Sequence, residues 1–176
     1  MPRTSHEWWE ATKRDPEALR DWLLDQHRGE RTAATRIEAF RDRFATAGTR
    51  AWRVLTVIAK QEARHAGWVG ELLASRGITA AAPDPDERYW PRVFPQIHDL
   101  ASGAAVGAHA ERMRLERIEE IAADARAPAD VREVFRRILP HERFHERAFR
   151  EIAGESALSE SSAAHELGRL ALGLEP

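Results

Sequence analysis

From Asp15 onward the chain alternates long amphipathic stretches with short polar breaks, and the apolar positions recur at three- and four-residue spacing. Leu19, Leu23, Ala33, Ala34, Ile37 and Phe44 fall on one helical face. Asp15-Pro16-Glu17 supplies an N-cap, a proline at the first helical position and an acidic first turn, which predicts a helix from Pro16 to about Ala47, stopped by Gly48. Thr49 caps a second helix, Arg50 to Arg76, ended by Gly77, with Leu55, Ile58, Val69, Leu72 and Leu73 facing inward. A third stripe, Ala104, Ala108, Leu115, Ile118 and Ala122, predicts a helix from about Gln96 to Arg126, in which Gly103 and Gly107 allow a neighbour to approach closely. Pro128 and Asp130 open a fourth helix, to about Ala153, with Val131, Phe135, Ile138, Phe149 and Ile152 inside. Pro140 interrupts its hydrogen-bond ladder and predicts a kink two residues before Glu142.

Between Gly77 and Pro95, Pro83, Pro85, Pro91 and Pro95 exclude a continuous helix, so helices two and three are joined by a long crossover. His6 to Glu10, carrying Trp8 and Trp9, reads as an arm or short helix that lays aromatics on the body, and Ser159 to Leu172 reads as a short fifth helix. The fold class is therefore all-α: a four-helix bundle with a long crossover between helices 2 and 3 and a short C-terminal helix. One domain over residues 1–176 is expected, with the bundle core at about 16–153, an arm at 1–15 and the terminal helix at about 159–172.

Composition narrows the chemistry. Apolar residues make up 43% and charged residues 32%, as in soluble helical proteins, and a formal net charge of −2 provides no field to recruit nucleic acid or an anionic membrane. Neither partner is expected. No cysteine is present, which excludes disulfides, thiolate zinc sites and iron–sulfur ligation, so electrons for any redox chemistry are expected from an external donor. No apolar run suits a signal peptide or membrane span, and a cytoplasmic location is the default expectation.

Four carboxylates and two imidazoles interrupt the inward stripes. Gln61-Glu62-Ala63-Arg64-His65 and His141-Glu142-Arg143-Phe144-His145 each set Glu and His three residues apart, on one helical face. Alone, Glu-x-x-His is a weak signal. Upstream, however, Glu30-Arg31 precedes Arg36-Ile37-Glu38 as Glu111-Arg112 precedes Arg117-Ile118-Glu119, so the chain reads as one helix pair used twice. Glu30 and Glu62 lie 18 and 14 residues either side of Gly48, and Glu111 and Glu142 lie 17 and 14 either side of Pro128, so all four come to one level of an up-down bundle. Unpaired carboxylates are costly to bury. Two divalent cations would neutralise four of them. One Glu from each of two helices plus Glu-x-x-His from each of the other two is the ligand pattern of dimetal carboxylate bundles.

On these residues the chain resembles the ferritin-like superfamily, with its ferritins, bacterioferritins, rubrerythrins and di-iron oxygenases, over about Pro16 to Ala153. The resemblance implies two iron ions (manganese as the variant), bridged by Glu62 and Glu142. Glu30 with His65 would complete one site, and Glu111 with His145 the other. Both histidines would bind as neutral imidazoles, the outer nitrogen of each needing an acceptor. There are departures. Ile37 and Ile118 stand where ferritins and rubrerythrins usually carry a tyrosine, Tyr89 in the crossover being the chain's single one, and Arg114 stands where rubrerythrins add a glutamate.

The function expected is a non-haem dimetal oxidoreductase activating O₂ or peroxide, with a small organic substrate for which Ala33, Ala34, Ala66 and Ala108 would leave room. The alternatives are a shell-forming ferroxidase and a metal-free helical scaffold. Trp22, Trp52 and Trp68 read as core aromatics, Glu38 and Glu119 as solvated, and His109 and His141 as incidental because they point away from the stripe. Exposed aromatics near Trp8 and Trp90 are compatible with a homo-oligomer.

Overall fold

A computed structural model describes residues 3–80 and 89–175. The elements are α1 (Ser5–Thr12), α2 (Pro16–Phe44), α3 (Arg50–Ser75), α4 (Trp90–Val93), a 3₁₀ turn (Phe94–Gln96), α5 (Leu100–Ala123) and α6 (Ala129–Ala171). The chain is an all-α bundle in which α2 pairs chiefly with α3, and α5 with α6. The crossover's Pro83, Asp84, Pro85 and Asp86 lie outside the described residues. Among the described residues, no helix is long and apolar enough to cross a membrane.

Local chemistry explains the boundaries. Asp15 Oδ1 accepts the amides of Glu17 and Ala18 at 3.0 and 3.3 Å, and Thr49 Oγ1 accepts that of Trp52 at 3.3 Å. The first long helix stops at Phe44, three residues short of the expected Ala47, because Ala45 is already extended. The third opens at Leu100, not Gln96, because Asp99 and Ser102 cap each other and Phe94–Gln96 turns separately. The expected kink at Pro140 is not where α6 breaks. Backbone angles stay helical there, and the one non-helical residue within α6 is Gly154 at φ 73°. This left-handed conformation suits a residue without Cβ, and the helix resumes directly after it, ahead of the expected Ser159.

Two apolar clusters fill the bundle. One holds Trp22, Leu23, Val69, Leu73, Ile118, Phe135 and Ile138, and the other Leu55, Ile58, Ala104, Ala108, Ala148 and Phe149. Each helix crosses from one cluster to the other, α2 between Leu23 and Ile37, α3 between Ile58 and Val69, α5 between Ala108 and Ile118, and α6 between Ile138 and Phe149. The polar residues inside those four intervals form a layer between two dry blocks.

The amino-terminal arm is helical and anchored. Trp9 is almost completely buried, its Nε1–H donates to Asp124 Oδ2 at 3.0 Å, and Lys13 Nζ reaches the same oxygen at 2.6 Å. Trp8 and Trp22 pack edge to face at 5.3 Å, closing one end of the bundle. After the crossover, Tyr89 is buried against α6. A Cβ on Gly168 would stand 2.5 Å from its ring, so glycine permits this approach. Its hydroxyl lies 2.9 Å from His165 Nδ1. His109, read as incidental, instead stacks on His165 at 4.6 Å and contacts Ser161 at 3.0 Å.

Candidate metal centre

The layer between the clusters contains Glu30, Glu62, His65, Glu111, Glu142 and His145, all buried. They form two groups, Glu30, Glu62, His65 and Glu142 in one, Glu62, Glu111, Glu142 and His145 in the other, the candidate ligand atoms within each lying within 4.8 Å of one another. Glu62 and Glu142 belong to both. The arrangement has approximate twofold character. His65 Nδ1 lies 3.1 Å from Glu142 and 3.5 Å from Glu30, while His145 Nδ1 lies 2.9 Å from Glu62 and 3.8 Å from Glu111.

None of these close approaches satisfies the groups. Both carboxylate oxygens of Glu30, Glu62 and Glu142, and Nδ1 of both histidines, are buried without a hydrogen bond. A core retains so many unsatisfied polar atoms only if something else engages them. Burial, then the charge of Glu142, raises the pKa of Glu62. Burial and the charges of Glu142 and Glu62 push Glu111 well above the ordinary carboxylate range. Burial acts upward on Glu142 as well, but Arg114, His65 and Glu111 outweigh it and hold Glu142 ionised. Arg114, one turn beyond Glu111 on α5, is the cation that meets the cage, closely at Glu30 and at 3.6 and 3.7 Å from Glu142 and Glu62.

The outer histidine nitrogens have partners that the sequence did not disclose. His145 Nε2 lies 2.8 Å from Gln61 Oε1, and His65 Nε2 lies 2.9 Å from His141 Nδ1. His141 is therefore not incidental. Its ring stacks on that of His65 at 5.1 Å, and burial, then the neighbouring histidines, lower its pKa. One signal was available: Gln61 and His141 occupy the same place in the repeat, directly before Glu62 and Glu142. Trp68 and Trp52 are only half-buried, unlike Trp22. Trp68 lies against His65 and His141 at 5.6 and 5.8 Å, and Trp52 lies under Arg41. Glu38 is exposed, and Glu119 takes Arg143 at 2.9 Å.

A cavity of about 330 Å³ opens beside Glu111 and Arg114, bounded by Ala33 and Ile37 of α2, Ile118 of α5, Phe149 of α6, and Tyr89 and Trp90. Ala66 and Ala108 are buried in the core and do not line it. Hard oxygen donors with two imidazole nitrogens suit divalent first-row metals, and the orphaned atoms converge in two overlapping groups, so the residues fit a pair of such ions. Apolar side chains close the layer above and below, which strengthens the electrostatic interactions within it, while the cavity reaches its edge at Glu111 and Arg114.

No curated protein and no solved structure matches the chain significantly. The family model for rubrerythrin matches residues 21–153, a span that runs from α2 to the break at Gly154 and includes all six residues of the layer. The chain belongs to the rubrerythrin family.

Proposed function

We propose that the buried layer holds two iron ions, with manganese as the alternative, and that the protein is a dimetal oxidoreductase acting on O₂ or peroxide. Glu62 and Glu142 would bridge, Glu30 and His65 would complete one site, and Glu111 and His145 the other. The observation that carries this reading is the set of carboxylate oxygens and imidazole Nδ1 atoms, buried, convergent and without hydrogen-bond partners. Such a pair of ions supplies electrons for reducing an O–O bond.

The chain's own residues do the rest. Gln61 and His141 hold the two imidazoles so that each Nδ1 faces inward. Glu62 and Glu142, which belong to both ligand groups, would serve both ions. Arg114 sets a positive charge at the cavity side of the cage. With no cysteine for an internal electron carrier, reducing equivalents come from a separate donor, and the cavity beside Glu111 is where a small substrate would enter.

Elemental analysis of purified protein, with size exclusion on the same sample, tests this directly. About two Fe or Mn per chain in a small assembly is the expected result. Two metals in a large shell would point to iron storage, and no metal after anaerobic Fe(II) addition would overturn the dimetal reading.

A further inference from the structure

The cavity beside the cage is lined mostly by apolar side chains, yet four arginines border it, Arg28 and Arg36 of α2 and, together on α5, Arg114 and Arg117. Arg114 is paired with Glu30 of the cage, whereas Nε of Arg117 is buried without a hydrogen bond, its guanidinium lying over the Trp8 ring at 4.7 Å. Burial, then Arg169, pulls Arg117 down to about 10, which leaves it charged at neutral pH. A buried cationic donor left unsatisfied, as at Arg117, is costly, and the planar guanidinium fork matches a carboxylate. The wall's own acids do not supply one. Asp25 is taken by Arg28 at 2.8 Å, and Glu111 belongs to the ligand cage.

Charge balance leads the same way. Arg114 is compensated by Glu30, Glu62 and Glu142. If those carboxylates, with Glu111, neutralise two divalent cations, the guanidinium is left with an uncompensated charge. This step rests on the dimetal reading, whereas the unsatisfied Nε of Arg117 and the cavity do not. We infer that the cavity binds a small organic carboxylate, its acid group held by Arg114 and Arg117 and its apolar body lying on Ile37, Ile118 and Phe149, beside Glu111. A singly charged head with a compact apolar body is the ligand that satisfies both the cationic side and the apolar wall within about 330 Å³, the lower end of ligand-pocket volumes.

Trp22 and Trp90 line the cavity, so tryptophan fluorescence reports its occupancy. Cyclohexanecarboxylate and its uncharged amide, neither of which absorbs with tryptophan, are titrated into the full chain, and metal content is measured on the same sample. The acid is expected to bind about tenfold or more tightly than the amide. Arg114→Gln and Arg117→Gln should each weaken it by a similar factor, and Ala33→Phe, which fills the cavity and leaves both arginines in place, should abolish binding. Equal binding of acid and amide, or acid binding that survives all three substitutions, would overturn the inference. Full metal loading without carboxylate binding would sink it while the dimetal centre stands. Carboxylate binding without metal uptake would uphold the cavity and sink the dimetal centre instead.

Discussion

Nε2 of His145 on α6 stands 2.8 Å from Oε1 of Gln61 on α3, and the mirror contact joins His65 of α3 to His141 of α6 at 2.9 Å. Each inward histidine is thus held by the residue that precedes the shared glutamate on the opposite helix. An amide oxygen can only accept, so His145 carries a proton on Nε2, and Nδ1, which faces Glu62 and Glu111, is the nitrogen left for a metal. The same tautomer at His65 requires His141 to accept at Nδ1.

Gln61→Leu should therefore lower metal affinity about 10–100-fold, because His145 loses its orientation without losing its ring. His141→Leu should do the same at the other site. His141→Gln places at α6 the residue that already does this work on α3, and should retain most of the affinity. Co(II) titrations followed by visible absorbance separate the three.

Glu62→Gln keeps the side-chain volume but removes a charge that both ligand groups share. The parent's melting temperature should rise on anaerobic addition of Fe(II) or Mn(II), because an ion that binds only the folded chain stabilises it. In the variant that rise should largely vanish, and bound metal should fall to about one per chain or less. Calorimetry with and without metal provides the check.

The metal-free protein should lose stability as pH rises. Glu62 and Glu111 titrate above the ordinary value of 4.5 in the fold. Their stabilising contribution is complete below that value and is lost as pH climbs through the raised native pKa values. Glu142, shifted down, works in the opposite sense, contributing above 4.5 and losing its contribution as pH falls through its lowered value. Glu111→Gln cannot titrate, so the drop in melting temperature between about pH 5 and pH 8 should be smaller in that variant than in the parent.

At Gly107, an added Cβ would stand 2.8 Å from Cδ1 of Phe149, a buried ring that, like Gly107, borders the cavity. Overpacking of this kind costs about 1–3 kcal/mol, against a helix-propensity gain for alanine of up to about 1 kcal/mol. Urea denaturation should show Gly107→Ala destabilised by up to about 2 kcal/mol. Adding Phe149→Leu should recover part of the loss relative to the sum of the two single changes.

The sequence by itself determined the helices and the face each presents. Asp15 and Thr49 mark starts, Gly77 marks a stop, and the spacing of Glu30, Glu62, Glu111 and Glu142 about Gly48 and Pro128 puts them at one height. These are local properties, set by hydrogen bonds within a turn and by the 3.6-residue period, and they survive whatever the helices pack against. Only the tertiary structure decided what the repeat does sideways. Helical angle alone turns Gln61 and His141 away from the inward stripe of their own helices, and only the angle at which α3 meets α6 brings each beneath the histidine of the other. In one dimension Arg114 is marked only as standing where rubrerythrins add a glutamate. Its reach across to Glu30 on α2 depends on two helices separated by the whole crossover, and so does the cavity that Arg114 shares with Arg117. The break at Gly154 and not at Pro140 has the same origin. A proline removes one hydrogen bond and packing can hold the helix straight around it, whereas a left-handed residue redirects the chain outright.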